Sequence, residues 1–383
     1  MKTSLLLSTV ALIVAGSAYA ADLPAKKAAP AAAQTGCPAY GPGFITIPGT
    51  DSCLNINGYF RSDNKYTSNQ DRGKAPFNLG YKFILRADVR NNTELGTVRS
   101  VIGLIAVDSP IAKGSSTNLI SGGSVATESA FVELGGFRAG AAPSPVDFDN
   151  AYNNSGVAYQ PTQVGLLSYT AAIGATSLTF AAQSAENNND AVKTADFTTA
   201  ASRPDLLIAA TSKLNDTVTL KGGLVSHEVV GSVSGTAQGF AAIGRVDLSF
   251  APVKIILGGA YANGANAYVD NNGNGAINGY FNSTMGGVVK DSGTDASNIS
   301  TANDYYGAVE YALGAHTLYA YADSEKGTQD VNSYKRTDYG VGFKYVAAKG
   351  LYIRPEIYQK VENANAASDT TSNVFYLRIR RDF

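Results

Sequence analysis

The sequence predicts an all-β protein, a transmembrane antiparallel β-barrel of about 16 strands, on three observations. Apolar and polar residues alternate with period two in segment after segment. No apolar run of the roughly 18 residues that a membrane helix needs occurs after the N-terminus. No helical pattern offers the strands a surface to pack on. A sheet standing in lipid has no water to satisfy its edges, so it must close on itself.

Composition agrees. Charged residues are 16% of the 383, below the roughly 25% of soluble domains, while Gly (40) and Tyr (22) are plentiful and Trp is absent. Hiding the lipid-facing signal in every second residue leaves average hydropathy unremarkable. The formal net charge of -1 excludes nucleic acid as an evident partner.

Residues 1–20 read as a secretory signal: Lys2, an apolar run from Leu5 to Ala15, then Ala18 and Ala20 framing a cleavage site before Ala21. Both cysteines, Cys37 and Cys53, therefore meet an oxidising compartment, which favours a disulfide over two free thiols. Closing a loop of about 15 residues would stabilise by about 3 kcal/mol in the chain-entropy model. Two thiols with no histidine nearby in sequence do not make a zinc site. Residues 21–53 form a periplasmic leader: an Ala/Pro/Lys-rich stretch to Gln34, then a turn-rich segment ending at Cys53. Lys26 and Lys27 suggest peptidoglycan contact, but the composition favours a plain linker.

The barrel occupies residues 54–383. Its first strand, 54–63, points Leu54, Ile56 and Phe60 one way and Asn55, Asn57, Tyr59 and Arg61 the other. The second sends Tyr81, Phe83, Leu85 and Val89 outward and Lys82, Arg86, Asp88 and Arg90 inward. Residues 96–107 return with Arg99 inward. Further strands fall near 125–135, 136–142, 162–172, 176–186, 204–213, 216–229, 238–250, 253–264, 303–313, 315–325, 335–347 and 350–361. The strand at 350–361 directs Leu351, Ile353 and Ile357 outward and Arg354, Glu356 and Lys360 inward. The closing strand, 371–383, sets Phe375, Leu377, Ile379 and Phe383 against Tyr376, Arg378, Arg380 and Asp382.

Short connections near Gly135, Gly174, Asn215, Pro252, Gly314 and Lys349 alternate with long ones. In outer-membrane barrels the short turns are periplasmic, which puts both termini in the periplasm. A barrel of about 16 strands has a lumen too wide for side chains to fill, so water should occupy it.

Several blocks are similar to the porins of the alphaproteobacterial outer membrane, and together they span the mature chain. They are Cys37-Pro-Ala-Tyr-Gly with Ile47-Pro-Gly-Thr-Asp-Ser-Cys53-Leu-Asn-Ile-Asn-Gly-Tyr-Phe-Arg61, the turn Thr93-Glu-Leu-Gly-Thr97, Ala130-Phe-Val-Glu-Leu-Gly-Gly-Phe-Arg-Ala-Gly140, and terminal Phe383. The resemblance implies a homotrimer of sixteen-stranded barrels that admits small hydrophilic solutes and ions by diffusion. It also implies a third external loop, about Ala141 to Pro161, folded into the lumen. This chain reads Ser144-Pro145-Val146-Asp147-Phe148-Asp149 where relatives often carry an aromatic pair before the aspartate.

The residues expected to act are those that set a pore's size and field. Arg61, Lys82, Arg86 and Arg378 fall on the lumen face of neighbouring strands, with Arg99 nearer the periplasm, and would form one basic wall. Asp147 and Asp149 on the infolded loop, with Glu133 on the strand before it, would place acids across the opening. Opposed charges order water, which favours polar solutes. Arg90, Arg354 and Arg380 are expected to pair locally.

Other chemistry is poorly supported. Asp270-Asn-Asn-Gly-Asn-Gly275 imitates the start of a calcium loop, but the twelfth position is Phe281 where a bidentate Glu is required. The segment 263–302 reads instead as a surface loop. His227 and His316 stand apart from any nucleophile motif, and no Gly-rich loop opens a helix, so no catalytic set and no cofactor is expected.

Overall fold

The fold was taken from a computed structural model, which describes residues 36–68, 76–108, 124–148, 164–184, 203–230, 236–265, 268–269, 301–329, 332–364 and 370–383. The secretory signal, residues 21–35 of the leader, residues 149–163 with Asp149, and the calcium-like stretch lie outside them.

A short strand β1 (Ile45–Thr46) precedes the barrel. The wall then runs β2 (Cys53–Thr67), β3 (Phe77–Thr93), β4 (Gly96–Asp108), β5 (Ser124–Leu134), β6 (Phe137–Ala142) and β7 (Val164–Ile173). It continues through β8 (Thr176–Gln183), β9 (Asp205–Lys213), β10 (Val218–Val230), β11 (Thr236–Phe250) and β12 (Val253–Asn263). It ends with β13 (Thr301–Leu313), β14 (His316–Gln329), β15 (Asn332–Ala348), β16 (Leu351–Ala364) and β17 (Thr370–Asp382).

Each strand from β2 onward pairs antiparallel with the next, and β17 pairs with β2, which closes a sixteen-stranded barrel. The seam is held at its end by Phe383, whose N–H donates to Gly58 O at 3.1 Å while Gly58 N–H donates to Phe383 O at 3.2 Å. Gly58 is required there, because a Cβ would lie 2.0 Å from Ile84 O.

The period-two sorting holds around the ring. Ile56, Phe60, Phe375, Ile379 and Phe383 are exposed on the outside, and Phe83 stacks on Phe383 with ring centroids 6.4 Å apart. Tyr59, Tyr376 and Arg378 are buried inside. Strand β2 extends past its expected 54–63 span, and β3 past the alternating residues Tyr81 to Arg90, since hydrogen bonding to a neighbour can continue beyond the level at which lipid imposes alternation.

One expectation changes inside. On β7 to β13 much of the inner face is apolar, with Val164, Leu207, Val225, Ala241, Ile243, Ile256 and others forming a buried cluster. Charge therefore does not line the whole lumen. The apolar arc is where entering chain packs: Val146, Phe148 and Tyr268 belong to the same cluster. Burying a Val or Phe side chain is worth roughly 1.5–3 kcal/mol, enough to hold a loop segment on the wall.

Candidate functional site: the lumen

The expected basic wall is threaded with carboxylates. Across β3 to β6 one rung reads Arg90, Arg99, Glu133, Arg138. Arg99 Nη1 donates to Glu133 Oε2 at 2.8 Å and its Nε to Asp88 Oδ2 at 3.0 Å. Arg138 Nε donates to Glu133 Oε1 at 2.6 Å. Glu133 thus stands among the cations rather than across from them, because the tight turn at Gly135 sets Arg138 directly opposite it. Arg90 pairs with Asp88 at 2.8 Å, as expected for a locally neutralised residue.

Four residues higher in register, Arg86 Nε donates to Glu128 Oε2 at 2.8 Å and its Nη2 donates to Glu128 Oε1. Strict alternation from Glu133 puts residue 128 on the lipid face. A register shift at Gly103/Leu104 leaves Glu128 as the extra residue of a bulge, and the inserted residue turns inward. Gly103 makes the space, since a Cβ there would lie 2.4 Å from Glu128 Oε2 and 2.5 Å from Ser129 Oγ.

At the next level Arg380, Arg61 and Lys82 are successive cross-strand partners on β17, β2 and β3. Like charges placed directly opposite oppose pairing. Asp382 offsets part of this, 2.6 Å from Arg380, as does Tyr59, whose ring centre lies 3.8 Å from the Arg380 guanidinium. Asp63 serves two arginines, Arg378 through Nε at 2.6 Å and Arg61 through Nε at 2.7 Å, the latter without hydrogen-bond alignment. Lys82 has no ion pair among the described residues. Four cations share two carboxylates, so the arc keeps a positive excess. Arg354 sits between the rings of Tyr319 and Tyr376, 6.0 and 5.9 Å from their centres.

The third external connection enters the lumen at its start. Ser144 Oγ donates to Gln183 Oε1 at 2.8 Å, and Arg245 Nη1 donates to Phe148 O at 2.8 Å. Val146 is fully buried against Gly223, where a Cβ would come within 2.5 Å of its Cγ1. These contacts lie on β8, β10 and β11. The last two stand eight strands from β2 and β3, half-way round the ring. Asp147 is carried on this segment, its N–H bonded to Ser144 O at 3.0 Å, so its backbone is held at the wall facing the basic arc. Below it a polar cleft is lined by Arg138, Ser144, Ser168, Thr170, Thr179 and Thr211.

A buried hydrogen-bonded chain fixes the entry. Gln183 Nε2 donates to Tyr268 OH at 2.7 Å, Tyr268 OH donates to Asp205 Oδ2 at 2.5 Å, and His227 Nδ1 lies 2.7 Å from Asp205 Oδ1. His227 is therefore a structural partner of Asp205. The sequence reading also missed an inward acidic group on β13 to β15. There Asp304 is opposite Glu325, and Asp323 is opposite Asp338, which Arg336 contacts. Cys37 and Cys53 are disulfide-bonded, and Arg90 stacks on Phe44 beside them, 4.8 Å from the ring centre.

A closed barrel with a greasy exterior and a charged, loop-narrowed interior defines an outer-membrane β-barrel protein. The chain belongs to the Porin subfamily, whose family model matches residues 25–378. Among curated relatives, Porin Omp2b of Brucella canis and Porin Omp2b of Brucella melitensis are each 33% identical over 184 residues, 44% of this chain and 50% of theirs. The chain thus spans about half the length of the curated relatives it matches. Among solved structures, the outer membrane channel DcaP of Acinetobacter baumannii aligns over 88% of this chain and 99% of its own, with TM-score 0.67 and 15% identity. The trimer form of Vibrio cholerae OmpT aligns over 87% and 100%, with TM-score 0.56 and 10% identity. A mutant of Rh. blastica porin aligns over 86% and 100%, with TM-score 0.51 and 15% identity. At these identities the likeness speaks for the fold.

Proposed function

We propose that the protein is a diffusion channel for small hydrophilic solutes and ions, acting as a homotrimer with a secretory leader removed before Ala21. The observation that carries this reading is the lumen itself: a basic arc on β17, β2 and β3, left with a positive excess, faces a loop segment pinned half-way round the ring. Such a field orients water across the opening, and a polar solute aligns with it while an apolar one must break it. Arg61, Lys82, Arg86, Arg99 and Arg378 set the basic side and Asp147 the facing side, where the sequence expectation also puts Asp149. Glu133 and Glu128 trim the basic side from within it. Purified protein in planar bilayers should give stepwise conductance that scales with salt. An electrically silent protein would falsify the channel reading. Charge reversal at Arg86 and Arg378 should move the reversal potential toward cation preference, and an unchanged potential would remove the basic arc from the mechanism.

Strand length supports the oligomer. β6 has 6 residues and β8 has 8, against 17 in β15. Six residues reach about 20 Å along the strand and roughly 15 Å along the axis at the usual tilt, short of an apolar band about 25 Å tall. A wall too low for the bilayer is satisfied by neighbouring subunits, with exposed Phe137, Leu167, Tyr169 and Phe180 as the contact. Unheated samples should run as three protomers on a denaturing gel, and a monomer band alone would count against the trimer.

A further inference from the structure

The outer face of β13 to β16, on the far side of the ring from the low wall at β6 and β7, is graded by height. One rung is Val309, Ala320, Val341 and Ile357, all directed at lipid. Nearer the long-loop end come Tyr305, Ser324, Thr337 and Val361, three of the four bearing hydroxyls, and above them Asn303, Lys326, Lys335 and Asn363. The sequence runs from hydrocarbon through hydroxyl and aromatic groups to amides and cations, the polarity profile of half a bilayer. Six residues separate Val341 from Lys335. That is about 20 Å along the strand and roughly 15 Å along the axis, half the thickness of a hydrocarbon core.

Lys326 and Lys335 are both exposed and are direct cross-strand partners, which places their Cβ atoms about 5 Å apart. Two ammonium groups so placed repel. No carboxylate occupies the outer face of β13 to β16 among the described residues, and neither lysine makes an ion pair. Their stems can lie along the hydroxyl rung while the heads reach headgroup level. A doubly charged phosphate between two such heads would relieve the repulsion and take donors from both.

We propose that Lys326 and Lys335 form a docking site for the phosphate of an anionic lipid headgroup in the cell-surface leaflet of the outer membrane. The trimer reading enters only to exclude a subunit as occupant: β14 and β15 stand eight strands from β6 and β7, so a neighbour covering the low wall leaves this face to lipid.

The full-length protein, folded in detergent, is titrated with diphosphorylated lipid A and with the same lipid stripped of both phosphates, and bound lipid is read by native mass spectrometry. The parent should retain the phosphorylated lipid preferentially, and raised salt should weaken that binding without any mutation. The K326Q/K335Q double variant should bind it about thirtyfold more weakly. K326R/K335R should bind like the parent, as should K213Q, which removes an exposed cation at the opposite end of the barrel. Heat-modifiable gel mobility reports that each variant is folded. Equal retention of the two lipids by the parent, or parental affinity in the double glutamine variant, overturns the proposal. So does a changed subunit count with lipid binding intact, which would assign the face to a protein contact. Conductance is measured on the same samples, so loss of the lipid site and failure of the channel reading are separate results.

Discussion

Glu128 reaches Arg86 only because its strand carries one residue too many. The guanidinium Nε lies 2.8 Å from Oε2, and the carboxylate comes from the bulge opposite Gly103. Removing that charge while keeping the shape should expose Arg86 to the lumen. For Glu128→Gln, a unit charge about 8 Å from a passing ion in water is worth about 0.5 kcal/mol. An anion gains that much and a cation loses it, so the anion-to-cation permeability ratio should rise about fivefold in dilute salt, read from reversal potentials, and the rise should shrink as salt screens the charge. Gly103→Ala parts the pair with no charge removed, because the new Cβ displaces the Glu128 carboxylate, and should shift the ratio less than Glu128→Gln does. A parental ratio in both variants would show that the pair does not act on ions.

This bulge also marks where sequence reasoning stopped. Period two correctly placed Phe83, Leu85, Lys82 and Arg86, and the short turns fixed the strand count, since both signals are local. Glu128 was invisible because one inserted residue reverses the parity that follows. A hint was present: an acid at a lipid-facing position of a membrane strand is unfavourable, so Glu128 itself implied a break in register. The apolar inner arc was illegible for a related reason. Where Leu206 faces out and Leu207 faces in, both sides read as grease, and the chain folding back at 143–148 and at Tyr268 explains the inner one. The side of the ring on which Glu133 stands is not legible from its face, because a face gives no azimuth, which the register of β4, β5 and β6 supplies.

The contact of Val146 with Gly223 sets how far the infolded segment stands from the wall. Gly223→Leu inserts side-chain volume between them, and the wall, held by two ladders, is the stiffer partner. The segment should shift toward the axis and narrow the opening. Single-channel conductance should fall, and liposome-swelling rates should drop more for a disaccharide than for a small sugar. Equal rates at both sizes would mean that the segment does not define the narrowest point.

Tyr268→Phe cuts the buried chain between Gln183 and Asp205. A hydrogen bond to a charged group contributes about 1.5–3 kcal/mol, and here both partners are left inside. The temperature at which the barrel loses its compact gel mobility should fall by several degrees. Current records should also show more frequent closures, because 143–148 shares the anchor Gln183. A variant that matches the parent in both measurements would reduce this chain to passive filling.

The Cys37–Cys53 disulfide holds a segment that has few other attachments: β1 pairs with β2 at Ile45 with Leu54 and Thr46 with Cys53, Tyr40 OH donates to Asn92 Oδ1 at 2.8 Å, and Arg90 lies over the rings of Phe44 and Tyr40. The barrel has its own closure through Gly58 and Phe383, so the bond should stabilise the segment and leave the ring unchanged. Closing a loop of this size contributes about 3 kcal/mol. Losing it should raise the open population of the segment by roughly two orders of magnitude, since 1.4 kcal/mol corresponds to a factor of ten. Chymotrypsin should therefore cleave after Tyr40 and Phe44 in Cys37→Ser protein or under reductant, and not in the oxidised parent, while heat-modifiable mobility stays the same. Equal resistance in the two forms would show that the stacked and paired residues suffice, and collapse of the barrel on reduction would make the bond part of the wall.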